Sequence, residues 1–188
     1  DLATGAEKQV LTGHTDWVQG ATLLPGAETA LSWSEDKSLR LWDLGTGAQL
    51  RAFTGHTDFV EGATLLPDGQ RALSWSNDKS LRLWDLGGGK EVRRLTGHTS
   101  QVGGATLLPG GETALSWSRD KSLRLWDLTT GGEKHKLTGH TDWVNGATLL
   151  PDGRVVRIHP GVHPPRAWRA RVDAAGLHSS RDCGPAEL

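Results

Sequence analysis

Gly-His returns every 42 residues, at Gly13-His14, Gly55-His56, Gly97-His98 and Gly139-His140, and no insertion or deletion breaks the beat. Trp-Asp pairs keep the same period at Trp42-Asp43, Trp84-Asp85 and Trp126-Asp127, with 27 residues between each His and its Trp. A chain written this way is an array of one small supersecondary unit. Its residue usage follows from the duplication: nine Trp and 25 Gly against two Phe and no Tyr or Met.

Within one unit four short runs are legible. Val18 to Leu24 is closed by the turn pair Pro25-Gly26, and Thr29 to Ser34 follows it. Ser38 to Leu44 is reached through Glu35-Asp36-Lys37, and Ala48 to Thr54 through Gly45-Thr46-Gly47. Four strands joined by tight turns make an antiparallel meander. Alternation along the third run sets Leu39 and Leu41 on one face and Arg40, Trp42 and Leu44 on the other, so both faces carry apolar bulk. A sheet of that kind must be sandwiched between neighbours.

These residues resemble a WD40-repeat β-propeller, in which each repeat of about 40–45 residues builds one four-stranded blade. The resemblance implies an all-β fold with three complete blades at 17–54, 59–96 and 101–138, an outer strand at 7–12 and a partial blade at 143–153. Propellers of about four to eight blades close, so an incomplete ring is expected, which dimerises into a larger ring or aggregates. The family builds a hydrogen-bonded tetrad in each blade. The matching residues here are His14, Ser32, Asp36 and Trp42; His56, Ser74, Asp78 and Trp84; and His98, Ser116, Asp120 and Trp126. His, Ser and Asp are also the parts of a hydrolase, but a catalytic constellation is assembled once, and three evenly spaced copies speak for internal struts.

Most columns of the repeat are identical, so the variable ones stand out. The third residue after His reads Trp17, Phe59, Gln101 and Trp143; the fifth reads Gln19, Glu61, Gly103 and Asn145; the residue before the turn Asp reads Glu35, Asn77 and Arg119. In the family these positions share one rim of the propeller, which makes all of them except Gly103 candidates for holding a protein or peptide partner. Aromatic side chains there suit a binding hot spot or packing on a neighbouring loop. Trp33, Trp75 and Trp117 are identical, directly follow the tetrad Ser, and stand where the family usually has a small residue; they are expected to fill space between blades.

Composition narrows the function classes. A formal net charge of −1 gives no electrostatic footprint for nucleic acid or an anionic membrane. Residues 1–153 carry 15 basic and 19 acidic groups, and residues 154–188 carry six Arg and three acids, too small an excess to argue for DNA. The single Cys183 allows no intrachain disulfide. No apolar run is long enough to span a bilayer and no signal peptide is evident, so a cytoplasmic protein is the expectation. The repeated His residues lack nearby second ligands, and His159, His163, His178 and Cys183 match no common zinc spacing, so neither metal nor cofactor is expected.

Asp1 falls in register with Asp43, as if the chain started inside a repeat of a longer array. The fourth unit keeps the pattern through Pro151-Asp152-Gly153 and leaves it after Arg154, with Ile158 and Val162 at the tetrad Ser and Asp positions and Trp168 in phase by accident. A frameshift or assembly error is the expected origin, and residues 154–188 are expected to form a disordered tail. The function expected is a non-catalytic interaction scaffold or sensor module, similar to repeats appended to bacterial signalling proteins. The alternatives are a fragment without independent activity and, less favoured, a propeller-based enzyme.

Overall fold

A computed structural model describes residues 3–149 and the strand residues 154–157, 169–173 and 176–180. Blade 1 comprises β1 (Val18–Leu23), β2 (Thr29–Ser34), β3 (Ser38–Asp43) and β4 (Gln49–Thr54). Blade 2 comprises β5 (Val60–Leu65), β6 (Arg71–Ser76), β7 (Ser80–Asp85) and β8 (Lys90–Thr96). Blade 3 comprises β9 (Val102–Leu107), β10 (Thr113–Ser118), β11 (Leu123–Asp127) and β12 (Glu133–Leu137). Each is an antiparallel sheet in chain order, as the tight turns require.

The apolar cores lie between blades. Leu31, Leu39, Leu41 and Phe53 on the trailing face of blade 1 pack with Val60, Ala63, Ala72, Trp84 and Leu86 on the leading face of blade 2. The same set recurs one repeat on, where Leu73, Leu81, Leu83 and Leu95 meet Val102, Ala105, Ala114, Trp126 and Leu128. Leu115, Leu123, Leu125 and Leu137 of blade 3 are closed by Val144, with Ala147 and Leu149 half-buried against them. A buried Leu or Val contributes about 1.5–3 kcal/mol, and here that contribution exists only because a neighbouring sheet supplies the second wall.

Two expectations are corrected. Residues 7–12 form no strand. They run along blade 1 as the outer strands run along the next blade: Gln9 donates from Nε2 to the Thr46 carbonyl at 3.0 Å, where Arg51 meets the Gly87 carbonyl and Arg93 that of Thr129. The position is kept, and among the described residues no inner strand lies beside it, so this segment joins no ladder. Beyond Arg154, three segments expected to be disordered are strands: β14 (Arg154–Arg157), β15 (Arg169–Asp173) and β16 (Gly176–Ser180) form a fourth antiparallel sheet with β13 (Ala147–Leu149). The open edge of β13 offers unpaired backbone groups, and a ladder asks only for backbone donors and acceptors, so any extended segment with β-branched residues such as Val155-Val156 can continue it. Ile158, Val162, Trp168 and Cys183 lie outside the described residues.

Candidate functional site

Two sets of side chains carry the chemistry of each repeat. The first is internal. In blade 2 the Trp84 indole N–H donates to Ser74 Oγ at 2.8 Å, and Ser74 Oγ lies 2.8 Å from His56 Nε2. His56 Nδ1 lies 2.8 Å from Asp78 Oδ2. A carboxylate only accepts, so Nδ1 carries the proton and Nε2 takes the Ser74 hydroxyl hydrogen, giving one continuous donor chain from indole to carboxylate. Blade 3 repeats it through Trp126, Ser116, His98 and Asp120 with every step at 2.8 Å. Blade 1 does so through Trp42, Ser32, His14 and Asp36 at 2.8, 2.7 and 2.7 Å.

The Asp is the anchor. Besides its His, Asp78 accepts the Thr57 amide at 3.1 Å, the Ser80 amide at 2.9 Å and the Ser80 hydroxyl at 2.6 Å. The lysine after each Asp takes a left-handed backbone, φ 70° at Lys37, 71° at Lys79 and 69° at Lys121, a costly conformation held by these bonds on either side of it. Ser38, Ser80 and Ser122, identical in every copy, were missed in reading the sequence; their invariance two residues after the Asp was the available signal. Arg82 and Arg124, each 5% exposed, were missed too. Each stands four residues after the Asp of its blade, and they pair with Glu91 and Glu133 on the outer strand, while Arg40 meets Gln49.

Burial sets the electrostatics. It pushes the His56 and His98 imidazoles below their ordinary value, an effect the facing aspartates only partly offset, so both are neutral at pH 7. Burial would raise the aspartates, but hydrogen bonds from Ser38 and His14 hold Asp36 at about 2, and those from Ser122, Thr99 and His98 hold Asp120 at about 2. Asp78 is also held well below its ordinary range, against burial, by His56 and Ser80. Histidines that resist protonation when folded lose stability as pH falls through the unfolded value of about 6.5. Aspartates with depressed values add a second loss as pH falls from about 4 towards 2. The urea midpoint is therefore expected to be highest above pH 7, lower at pH 5.5 and lowest below pH 4; a midpoint that rises on acidification from pH 8 to 5.5 contradicts the neutral-imidazole chain. Ser74 and Ser116 are 0% exposed, so neither hydroxyl can meet a substrate as the His-Ser-Asp pattern alone would allow.

The second set is the rim. In each blade the backbone joins two of the variable positions: Glu35 N–H donates to the Trp17 carbonyl at 2.9 Å, Asn77 to Phe59 at 3.0 Å and Arg119 to Gln101 at 3.1 Å. The remaining variable position sits on a β-bulge. The register of β1 with β2 shifts between Val18 and Gly20, and that of β5 with β6 between Val60 and Gly62, leaving Gln19 and Glu61 out of the ladder. In blade 3 the shift falls between Trp117 and Ser118, opposite Gly103. A bulge frees its residue from cross-strand pairing and re-aims its side chain, which explains why this column varies inside an otherwise constant strand.

The side chains make contacts along the rim. Gln19 Nε2 donates to Glu35 Oε1 at 2.5 Å, and the Arg119 guanidinium of blade 3 lies 4.6 Å from the ring centre of Trp143 in the fourth repeat. Trp17 is 77% exposed, Trp143 48% and Phe59 36%. Glu61 and Asn145 are exposed, and Gln101 and Asn77 half-buried. Among the described residues no cluster of three or more His, Cys, Asp or Glu side chains could hold a metal ion.

A family profile described as WD domain, G-beta repeat matches three times, over residues 5–43, 47–85 and 89–127, each match ending on the Asp of a Trp-Asp pair. No curated protein matches the chain.

Proposed function

The chain belongs to the WD40 repeat family, and from that membership we propose that it is a binding module that holds a protein or peptide partner on the rim carrying Trp17, Phe59, Trp143 and Arg119. Repeats of this family generally mediate protein–protein interaction, and as a rule they are scaffolds without catalysis. The observation that carries the reading is the exposure of Trp17 at 77% on a blade whose other indoles, Trp33 and Trp42, are partly or fully buried. An aromatic ring left in water costs free energy that a partner can recover, and Trp, Tyr and Arg dominate binding hot spots. Glu35, Glu61, Gln19, Asn77, Gln101 and Asn145 supply the polar surround that gives an interface its register.

The test is affinity capture from an extract with the intact chain, followed by the same capture with Trp17, Phe59 and Trp143 changed together to alanine. Each truncated hot-spot aromatic is expected to weaken a bound partner by about tenfold or more, so the triple variant should lose it while its far-UV spectrum shows the blades still folded. Undiminished capture by a folded triple variant would remove the rim from consideration.

A further inference from the structure

The junction between blade 3 and the fourth repeat shows what a rim aromatic accepts. Arg119, the residue before the turn Asp of blade 3, holds its guanidinium 4.6 Å from the ring centre of Trp143, the third residue after the next His. An aromatic face carries partial negative charge and draws a flat cation. Two periods of 42 residues earlier the same two columns read Glu35 and Phe59, at the junction of blades 1 and 2. Both of those blades have all four strands.

A carboxylate in the column of Arg119 is repelled by a ring face, and Glu35 is held by its own blade instead, where Gln19 Nε2 donates to its Oε1 at 2.5 Å. Among the described residues no cation lies over the Phe59 ring, which is 36% exposed. Lys37 follows Glu35 by two residues, but its counterpart Lys121 leaves Trp143 to Arg119. Two further carboxylates adjoin Phe59 in sequence: Asp58 accepts the Phe59 amide at 2.9 Å, and Glu61 stands exposed on the bulge with no side-chain partner among the described residues. Blade 3 has Ser100, Gln101 and Gly103 in these columns, so neither the ring nor the acids are required to build a blade.

We infer that the junction of blades 1 and 2 is a seat for an arginine side chain of a peptide partner, its guanidinium lying on the Phe59 ring and paired with the Glu35 carboxylate. Arg119 makes the first of these contacts from within the chain at Trp143, and the seat at Phe59 leaves it to be made from outside. Asp58 and Glu61 add negative charge beside the ring, which favours a cation and disfavours an acidic segment. A lysine keeps the charge but not the flat face that stacks on a ring, so it binds there more weakly. This rests on the rim being the surface that holds a partner, and it adds the chemistry of what is held.

The probe is a phage-displayed library of random linear peptides selected on the full chain. Peptides whose capture is lost on Phe59→Ala should be enriched in arginine over the starting library. Replacing that arginine by citrulline, which keeps its shape without its charge, should weaken binding by about five- to tenfold. Glu35→Arg writes the blade 3 residue into blade 1, so the blade still folds and the seat is filled from within; the arginine and citrulline forms should then bind equally. Peptides that need Phe59 but carry no arginine, a citrulline form that binds the unaltered chain as well as the arginine form does, or an arginine preference that survives Glu35→Arg would each overturn the seat while leaving the rim as the binding surface. A selection in which no peptide depends on Trp17, Phe59 or Trp143 removes both.

Discussion

Trp84→Ala should cost the array about 3–5 kcal/mol, the range for removing a large buried aromatic. That is a large share of a typical domain stability of about 5–15 kcal/mol. Trp84 is 1% exposed and works on two fronts. Its ring stands edge-on to Phe53 of blade 1 at 5.7 Å and to His56 of its own blade at 6.1 Å, so it belongs to the core that joins blades 1 and 2. Its N–H begins the donor chain at Ser74, and its loss leaves a 0%-exposed hydroxyl short of a donor. Trp84→Phe removes the N–H together with the rest of the five-membered ring and keeps one six-membered ring in the core, so it should cost less than Trp84→Ala, about 1–3 kcal/mol.

The copies provide an internal control. Trp42 is equally buried at 1%, but the residue one repeat before Phe53 is Leu11, half-buried in a segment that forms no strand. Trp42→Ala is therefore expected to shift the far-UV melting midpoint less than Trp84→Ala. Blades can unfold one at a time in such an array, so the comparison is between midpoints and not between fitted two-state energies. Equal shifts would mean that the interblade wall adds nothing to the burial of the ring.

The same distinction explains how far the sequence could be read. Strand limits came within about a residue because each run is bracketed by Pro-Gly, Asp-Lys or Gly-x-Gly turns whose backbone demands are local. The four tetrad residues were legible because recurrence at fixed offsets exposes them. Ser80 and Arg82 recur just as strictly, but they sit within a run that already reads as strand, so period alone could not separate a hydrogen-bonding role from pairing. The bulge at Glu61 was invisible for a different reason: a register shift is a property of two strands, and the variable column it leaves reads equally well as an exposed strand position. The exposure of Val18 against the burial of Val60 is a property of neighbours, which identical sequences cannot encode. The strands beyond Arg154 show the same thing from the other side, since a sheet edge recruits backbone whatever its side-chain pattern.

Gly62 and Trp75 tie sequence to packing most tightly, and they allow a reversal of sign. They face each other across the ladder between β5 and β6. A Cβ on Gly62 would stand 2.2 Å from one ring carbon of Trp75 and 2.4 Å from another, closer than any real contact. Gly20 with Trp33 and Gly104 with Trp117 repeat the arrangement at 2.5 and 2.1 Å. The indole occupies the space that the glycine leaves empty, and it packs on the core between blades 2 and 3. Gly62→Ala should therefore cost about 1–3 kcal/mol through overpacking, although alanine in a strand is ordinarily favoured over glycine by about 0.5–1 kcal/mol. With Trp75→Ala already in place the obstruction is gone and only the backbone preference remains, so the same Gly62→Ala change should raise the melting midpoint. A cycle of the two single variants and the double variant measures this coupling, which should exceed about 1 kcal/mol. If Gly62→Ala is equally harmful with and without the indole, the glycine is there for its backbone and not for the ring, and the three Trp-Gly pairs are no more than neighbours.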